Sequence, residues 1–134
     1  MGLLTTVTWV STALVGFYLL RLWLSGGGLR RQAAKVTRFP LTLVLSHPTL
    51  AVTALGCWVG HLLTGSRALA WTAFGTLATA VLLGFVMFTR WLGGGRHARG
   101  AERRFPVVAV ALHGVAGVAT FVLVLLTAGA AREP

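Results

Sequence analysis

FPVVAVALHGVAGVATFVLVLLTAG, residues 105–129, contains no Asp, Glu, Lys or Arg from end to end. A helix of about 20 apolar residues crosses the ~30 Å hydrocarbon layer of a bilayer, and this stretch exceeds that length. A lone strand of the same composition would leave backbone N–H and C=O groups unpaired in lipid, so the stretch reads as a transmembrane helix. Three more apolar runs precede it, at residues 3–24, 39–64 and 68–92. The whole chain agrees: of 134 residues, 56% are hydrophobic and 10% charged, with a mean hydropathy of +0.81. Soluble domains carry about a quarter charged residues. The connections are too short to hold a separate soluble domain. The expected fold is all-α, a single integral membrane domain over residues 1–134 folded as a four-transmembrane-helix bundle.

The net charge of +10 raises the question of nucleic acid. Its placement answers it. Arg21, Arg30, Arg31, Lys35 and Arg38 flank or fill the first connection, and Arg90, Arg96, Arg99, Arg103 and Arg104 the third. Only Arg67 and Arg132 fall on the other side. This is a positive-inside distribution. It predicts a multi-pass protein of the inner (plasma) membrane with both termini outside and the basic loops in the cytoplasm, beside anionic lipid. No basic platform interleaved with aromatics is present, so no nucleic-acid partner is expected. No basic residue precedes the first apolar run, which therefore does not read as a cleaved signal peptide. The single Cys57 allows no intrachain disulfide.

Working outward from the opening stretch, the frame Arg-Phe-Pro, six residues, His occurs twice: RFPLTLVLSH at 38–47 and RFPVVAVALH at 104–113. GFYLLRLWLSGGG at 16–28 likewise matches GFVMFTRWLGGG at 84–95. The first and second helices thus correspond to the third and fourth, as a duplicated two-helix unit with repeats at about 1–66 and 67–134. The offset is 68 in the first helix of each unit and 66 in the second. Two crossings preserve orientation, so the halves are related by an axis along the membrane normal. Trp23 and Trp91 mark an interface, the glycine runs stop helices, and Pro40 and Pro106 are expected in the first turn of the helix that follows.

His47 and His113 each follow the matching proline by seven residues, or roughly 10–12 Å of helix. They are therefore expected at one depth, facing each other across the axis. Imidazole within a bilayer is a functional hypothesis by default. Two at one level form a pair of axial ligands for a planar metal macrocycle, and haem b is the expected cofactor, since no C-x-x-C-H is present for covalent attachment. Gly114 and Gly117 after His113, and Ala51 and Ala54 after His47, would let a flat ring approach the backbone. Arg38 and Arg104, and also Arg21 and Arg90, stand where they could meet propionates. The competing reading is that the histidines hydrogen-bond between helices and the arginines only mark topology.

His61 lies fourteen residues after His47 on a similar face. That spacing resembles the two-haem helices of cytochrome b and of the b561-like four-helix cytochromes. The resemblance implies His61 as a further, subordinate metal ligand. It is partial: the position equivalent to His61 is Thr127. Over most of its length the chain also resembles small four-helix membrane proteins of high-GC actinobacteria, through FPLTLVLSHPTLAVTALGCWVGHLLTG and FPVVAVALHGVAGVATFVLVLLTA. That likeness implies no activity.

The only acids, Glu102 and Glu133, lie outside the apolar runs, and there is no Asp or Asn. The spans thus hold no carboxylate for acid–base work or a hard-cation site, which argues against an independent enzyme. The expected function is a small b-type cytochrome-like subunit, with haem between the second and fourth helices, passing electrons between the quinone pool and a partner in a larger redox complex. The alternative is a cofactor-free accessory or assembly subunit of a membrane complex, or a small metabolite carrier.

Overall fold

A computed structural model describes residues 1–33, 39–93 and 104–130. Within them the chain forms α1 (Gly2–Ser25), α2 (Gly28–Ala33), α3 (Leu41–Thr64), α4 (Arg67–Leu92) and α5 (Val107–Ala130). The described residues contain no strand. The four long helices have 24 to 26 residues each and are long and apolar enough to cross a membrane. Their bounds lie within two residues of the apolar runs.

The connections explain the helix ends. Gly26 closes α1, its N–H bonding to the Leu22 carbonyl at 2.9 Å, and Gly27 takes a positive φ of 82°. The glycine run is more than a stop, because Gly28 opens the short α2. The Trp23 ring packs so close to Gly28 that a Cβ there would collide with it. Gln32 then donates from Nε2 to the Phe39 carbonyl at 2.6 Å, tying α2 to the start of the next crossing. Pro40 is the N-cap of α3, one place before the first turn, and its carbonyl accepts from the Val44 N–H. Between α3 and α4 the turn is two residues long. Gly65 is left-handed at φ 72°, and the Ser66 hydroxyl accepts from the Leu69 N–H.

In the bundle, α3 packs most closely on α4 and α1 on α5, then α5 on α4 and α1 on α3. α3 and α5 therefore stand on a diagonal. Apolar side chains point outward, Leu3, Leu63 and Val115 being 80%, 82% and 72% exposed. The interior instead holds small and aromatic residues, including Ala54, Ala70, Ala73, Ala80, Trp9 and Trp58. This is the arrangement lipid favours, since small residues let backbones approach where water supplies no hydrophobic drive. Most hydroxyls on the helices are satisfied internally. Thr5, Thr6, Thr8, Ser11 and Thr12 each donate to the carbonyl four residues back. We call the end bearing the two glycine-rich connections the loop end, and the end bearing both termini and the α3–α4 turn the terminal end.

Candidate functional site

His47 on α3 and His113 on α5 meet across the diagonal. Their ring centroids are 5.9 Å apart, with the planes at 77°. Each ring is held by the neighbouring helix. His47 Nδ1 is 2.8 Å from the Ala80 carbonyl oxygen of α4, and His113 Nδ1 is 3.0 Å from that of Thr12 in α1. A carbonyl can only accept, so each Nδ1 carries the proton and each Nε2 presents a lone pair. Thr12 and Ala80 are equivalent under the offset of 68, as the histidines are under 66. The two hydrogen bonds are thus one contact made twice.

Glycine makes each contact possible. Four residues after each acceptor stand Gly16 and Gly84. A Cβ at Gly16 would come within 2.8 Å of His113 Cε1, and one at Gly84 within 3.1 Å of His47 Cε1. The backbone of α1 and α4 is bare where the imidazole lies on it. T-x-x-x-G at 12–16 and A-x-x-x-G at 80–84 are small-xxx-small pairs, the pattern of close helix approach. Side-chain chemistry does not single out a backbone acceptor; the repeat register shows only that the two pairs are equivalent.

From the histidines toward the loop end runs a cavity of about 760 Å³. That is within the roughly 300–1,000 Å³ usual for small-molecule and cofactor sites. Its wall repeats the duplication, with Phe17 and Phe85, Trp23 and Trp91, and Phe39 and Phe105 facing it in equivalent pairs. The wall is almost wholly apolar, and Phe17 and Phe85 also belong to the exposed surface of the bundle.

Of the residues proposed from sequence, His47, His113, Ala51, Gly114 and Gly117 line the cavity. A Cβ on Gly114 would meet nothing within 4 Å. Ala54 does not line it; it is fully buried in the core toward the terminal end with Trp9 and Trp58. The reason is the face it occupies, not its depth: the next residue, Leu55, does line the cavity, while Ala54 packs into the core. Arg104 is exposed and outside the cavity wall, and Arg38 and His97 lie outside the described residues. His61 sits by the α3–α4 turn. Its Nδ1 is 2.9 Å from the Ser66 carbonyl oxygen, and its ring is 5.4 Å from that of Trp58. It closes the turn and is not among the cavity residues. Pro48, next to His47, has no N–H for the Val44 carbonyl and lines the cavity where its equivalent is Gly114.

Among the described residues, no group of three or more His, Cys, Asp or Glu side chains is placed to hold a bare metal ion. A macrocycle makes a different demand, because it brings four ligands and asks the protein for two. The residues fit that demand. Metal-bound histidines commonly donate Nδ1–H to a carbonyl while Nε2 binds the metal, and here both Nδ1 atoms are so engaged. The ring centroids, 5.9 Å apart, put both imidazoles within reach of one shared ligand.

The chain matches no known family model, and no curated protein or solved structure is significantly similar to it.

Proposed function

We propose that this protein is a small b-type cytochrome-like membrane subunit that holds haem b between α3 and α5. The observation that carries the reading is the His47–His113 pair: two imidazoles from equivalent positions, 5.9 Å apart, each fixed through Nδ1 with Nε2 left as a ligand. When bound, haem supplies a one-electron iron couple. His47 and His113 would hold its iron through their Nε2 atoms. The Ala80 and Thr12 carbonyls hold the ring orientation and raise ligand basicity. Gly16 and Gly84 give the imidazoles their seats, and the aromatic wall excludes water. Such a subunit passes electrons between quinones in the bilayer and a redox partner in a larger complex. In this reading the basic loop end faces the cytoplasm of the plasma membrane, following the charge distribution.

Mild purification from haem-replete cells tests the reading. The protein should be red, with a Soret band that shifts on dithionite addition. His47→Ala and His113→Ala should each lose the low-spin bis-histidine spectrum, and His61→Ala should keep it. A colourless wild type sinks the cytochrome reading. Orientation is tested separately, with Ser66→Cys and Ala98→Cys in a background lacking Cys57. An impermeant thiol reagent on intact cells should label position 66 and spare position 98; the reverse pattern turns the protein over.

A second reading rests on the same hydrogen bonds. Each imidazole already has a partner on a neighbouring helix, which is what a purely structural histidine in lipid needs. A cofactor-free accessory or assembly subunit, or a small metabolite carrier, would keep the pair for packing. Colour separates the two.

A further inference from the structure

The two sides of the cavity differ in how they meet the outside. Among the described wall residues of α1 and α3, only Phe17 and Val52 are exposed. On the other side α4 contributes the exposed Phe85 and Leu92, and α5 the exposed Val107, Gly114 and Val115. A residue that lines a cavity and also faces outward stands at its mouth. Val115, 72% exposed, is the plainest case. Its equivalent under the offset of 66, Thr49, is exposed but lies outside the wall. Pro48 is half-buried where its equivalent, Gly114, is exposed and bare.

The mouth follows the seam between α4 and α5. Toward the terminal end the seam is shut, because Phe74 of α4 stacks on Phe121 of α5 with centroids 5.1 Å apart. Phe85 and Leu92 come 11 and 18 residues after Phe74, about three and five turns, and so share its face of α4. Gly114 and Val107 come 7 and 14 residues before Phe121, about two and four turns, on its face of α5. Beyond the aromatic stack the seam is therefore open. The opening runs from the level of His113 to Leu92 and Val107, the last residue of α4 and the first of α5. That is about 10 Å along the helix. Across a membrane its deep end meets hydrocarbon and its loop end the headgroups. Apart from the two histidines and Trp23, the cavity wall holds no polar side chain. A lipid-facing slot of this kind suits a flat apolar body with one polar edge.

We propose that the macrocycle enters and leaves the cavity sideways, from the lipid phase, through this slot between α4 and α5. The inference rests on the haem reading above and names the source of the cofactor, haem dissolved in the bilayer. Haem is a flat apolar ring with two carboxylates on one edge, so in a bilayer that edge stays at headgroup level. The slot lets the ring slide to the histidines without leaving lipid. The most closely packed helix pairs, α3–α4 and α1–α5, need not part for it to pass.

The test places a bulky group at the mouth of the folded full chain. Val115→Cys and Thr49→Cys, each in a background lacking Cys57, are coupled to a pyrene maleimide in mild detergent, once before haem loading and once after. The proteins are then placed in phosphatidylcholine–phosphatidylglycerol vesicles. The adduct at position 115 should slow both haem uptake and haem release to a soluble scavenger about tenfold or more, the effect of raising the barrier by about 1.4 kcal/mol. Affinity and the low-spin spectrum should stay unchanged, since both histidines remain. The adduct at position 49 should alter neither rate. Haem b dimethyl ester, which is confined to lipid, should load as haem b does and be slowed by the same adduct. Slowing by both adducts or by neither overturns the slot while haem binding stands. Uptake of haem b with none of the ester overturns the lipid source. A wild type that takes up neither compound overturns the haem reading and this inference with it.

Discussion

At the terminal end, Trp9 and Trp58 pack with centroids 6.2 Å apart and Phe74 stacks on Phe121 at 5.1 Å. Ala54 and Ala73 fill the gaps between them with no exposed surface. At the loop end, Trp23, Phe39 and Val44 form a second buried cluster with Trp91 and Phe105 packed against it, and all of them also line the cavity. The polar groups differ in the same sense. Toward the terminal end Trp58 is partnered by Thr6, and Thr12 and Thr120 share a buried hydrogen bond at 3.2 Å. At the loop end Trp23 has no partner. Thr12 belongs to both regions, its hydroxyl facing Thr120 and its carbonyl holding His113. One half of the bundle is closed by its own side chains; the other is left open in shape and in hydrogen bonding.

The comparison can be broken most forcefully at Trp58. Trp58→Ala removes a wholly buried ring from the closed half and should cost about 3–5 kcal/mol of unfolding free energy in mild detergent. The surviving folded protein should still take up haem with a low-spin spectrum. Loss of the spectrum at temperatures where the helices persist would show that the halves are not separate in function. A smaller effect belongs to the histidine seats. Gly16→Ala puts a methyl 2.8 Å from His113 Cε1, against 3.1 Å from His47 Cε1 for Gly84→Ala. Overpacking of this kind costs about 1–3 kcal/mol. Gly16→Ala should therefore lower the melting temperature more than Gly84→Ala, and the reverse order would mean that α1 yields more easily than α4. The smallest expected effect is at Gly114, where an added methyl meets nothing. Gly114→Ala should stabilise the haem-free protein by roughly 0.5–1 kcal/mol, as helical Gly→Ala changes do. In the haem-loaded protein the same methyl enters the cavity, and a titration should find weaker binding. A gain in stability with no change in binding would place the ligand elsewhere.

Much of the fold was legible in the sequence because lipid allows few solutions. A charge-free run such as 105–129 has to be a helix, and the duplicated frame by itself places His47 and His113 at one level. What escaped was whatever depends on backbone or on the distance between helices. The carbonyls of Thr12 and Ala80 have no side-chain signature. Ala54, grouped with Ala51 by helical spacing, packs into the core while its neighbour Leu55 lines the cavity. His61, aligned with His47 by periodicity, is claimed by the Ser66 carbonyl of an adjacent turn. Trp23 and Trp91 are indistinguishable in the repeat, and only packing makes one buried and orphaned and the other half-buried.

The crossed histidine contacts bear on how such a chain could arise and diversify. His47 in the first half leans on Ala80 in the second, and His113 in the second on Thr12 in the first. Two copies of a single half would make the same exchange as an isologous homodimer, each protomer anchoring the imidazole of the other. The Gly65–Ser66 turn makes that association intramolecular, at an effective concentration on the order of millimolar for a short tether. Fusion also lifts the symmetry constraint. In a homodimer every substitution is made twice, whereas here Pro48 can stand against Gly114, and His61 against Thr127. A gene encoding the first two crossings alone, co-expressed with one encoding the last two, should still assemble, while either half expressed alone can anchor its histidine only by pairing with a second copy of itself.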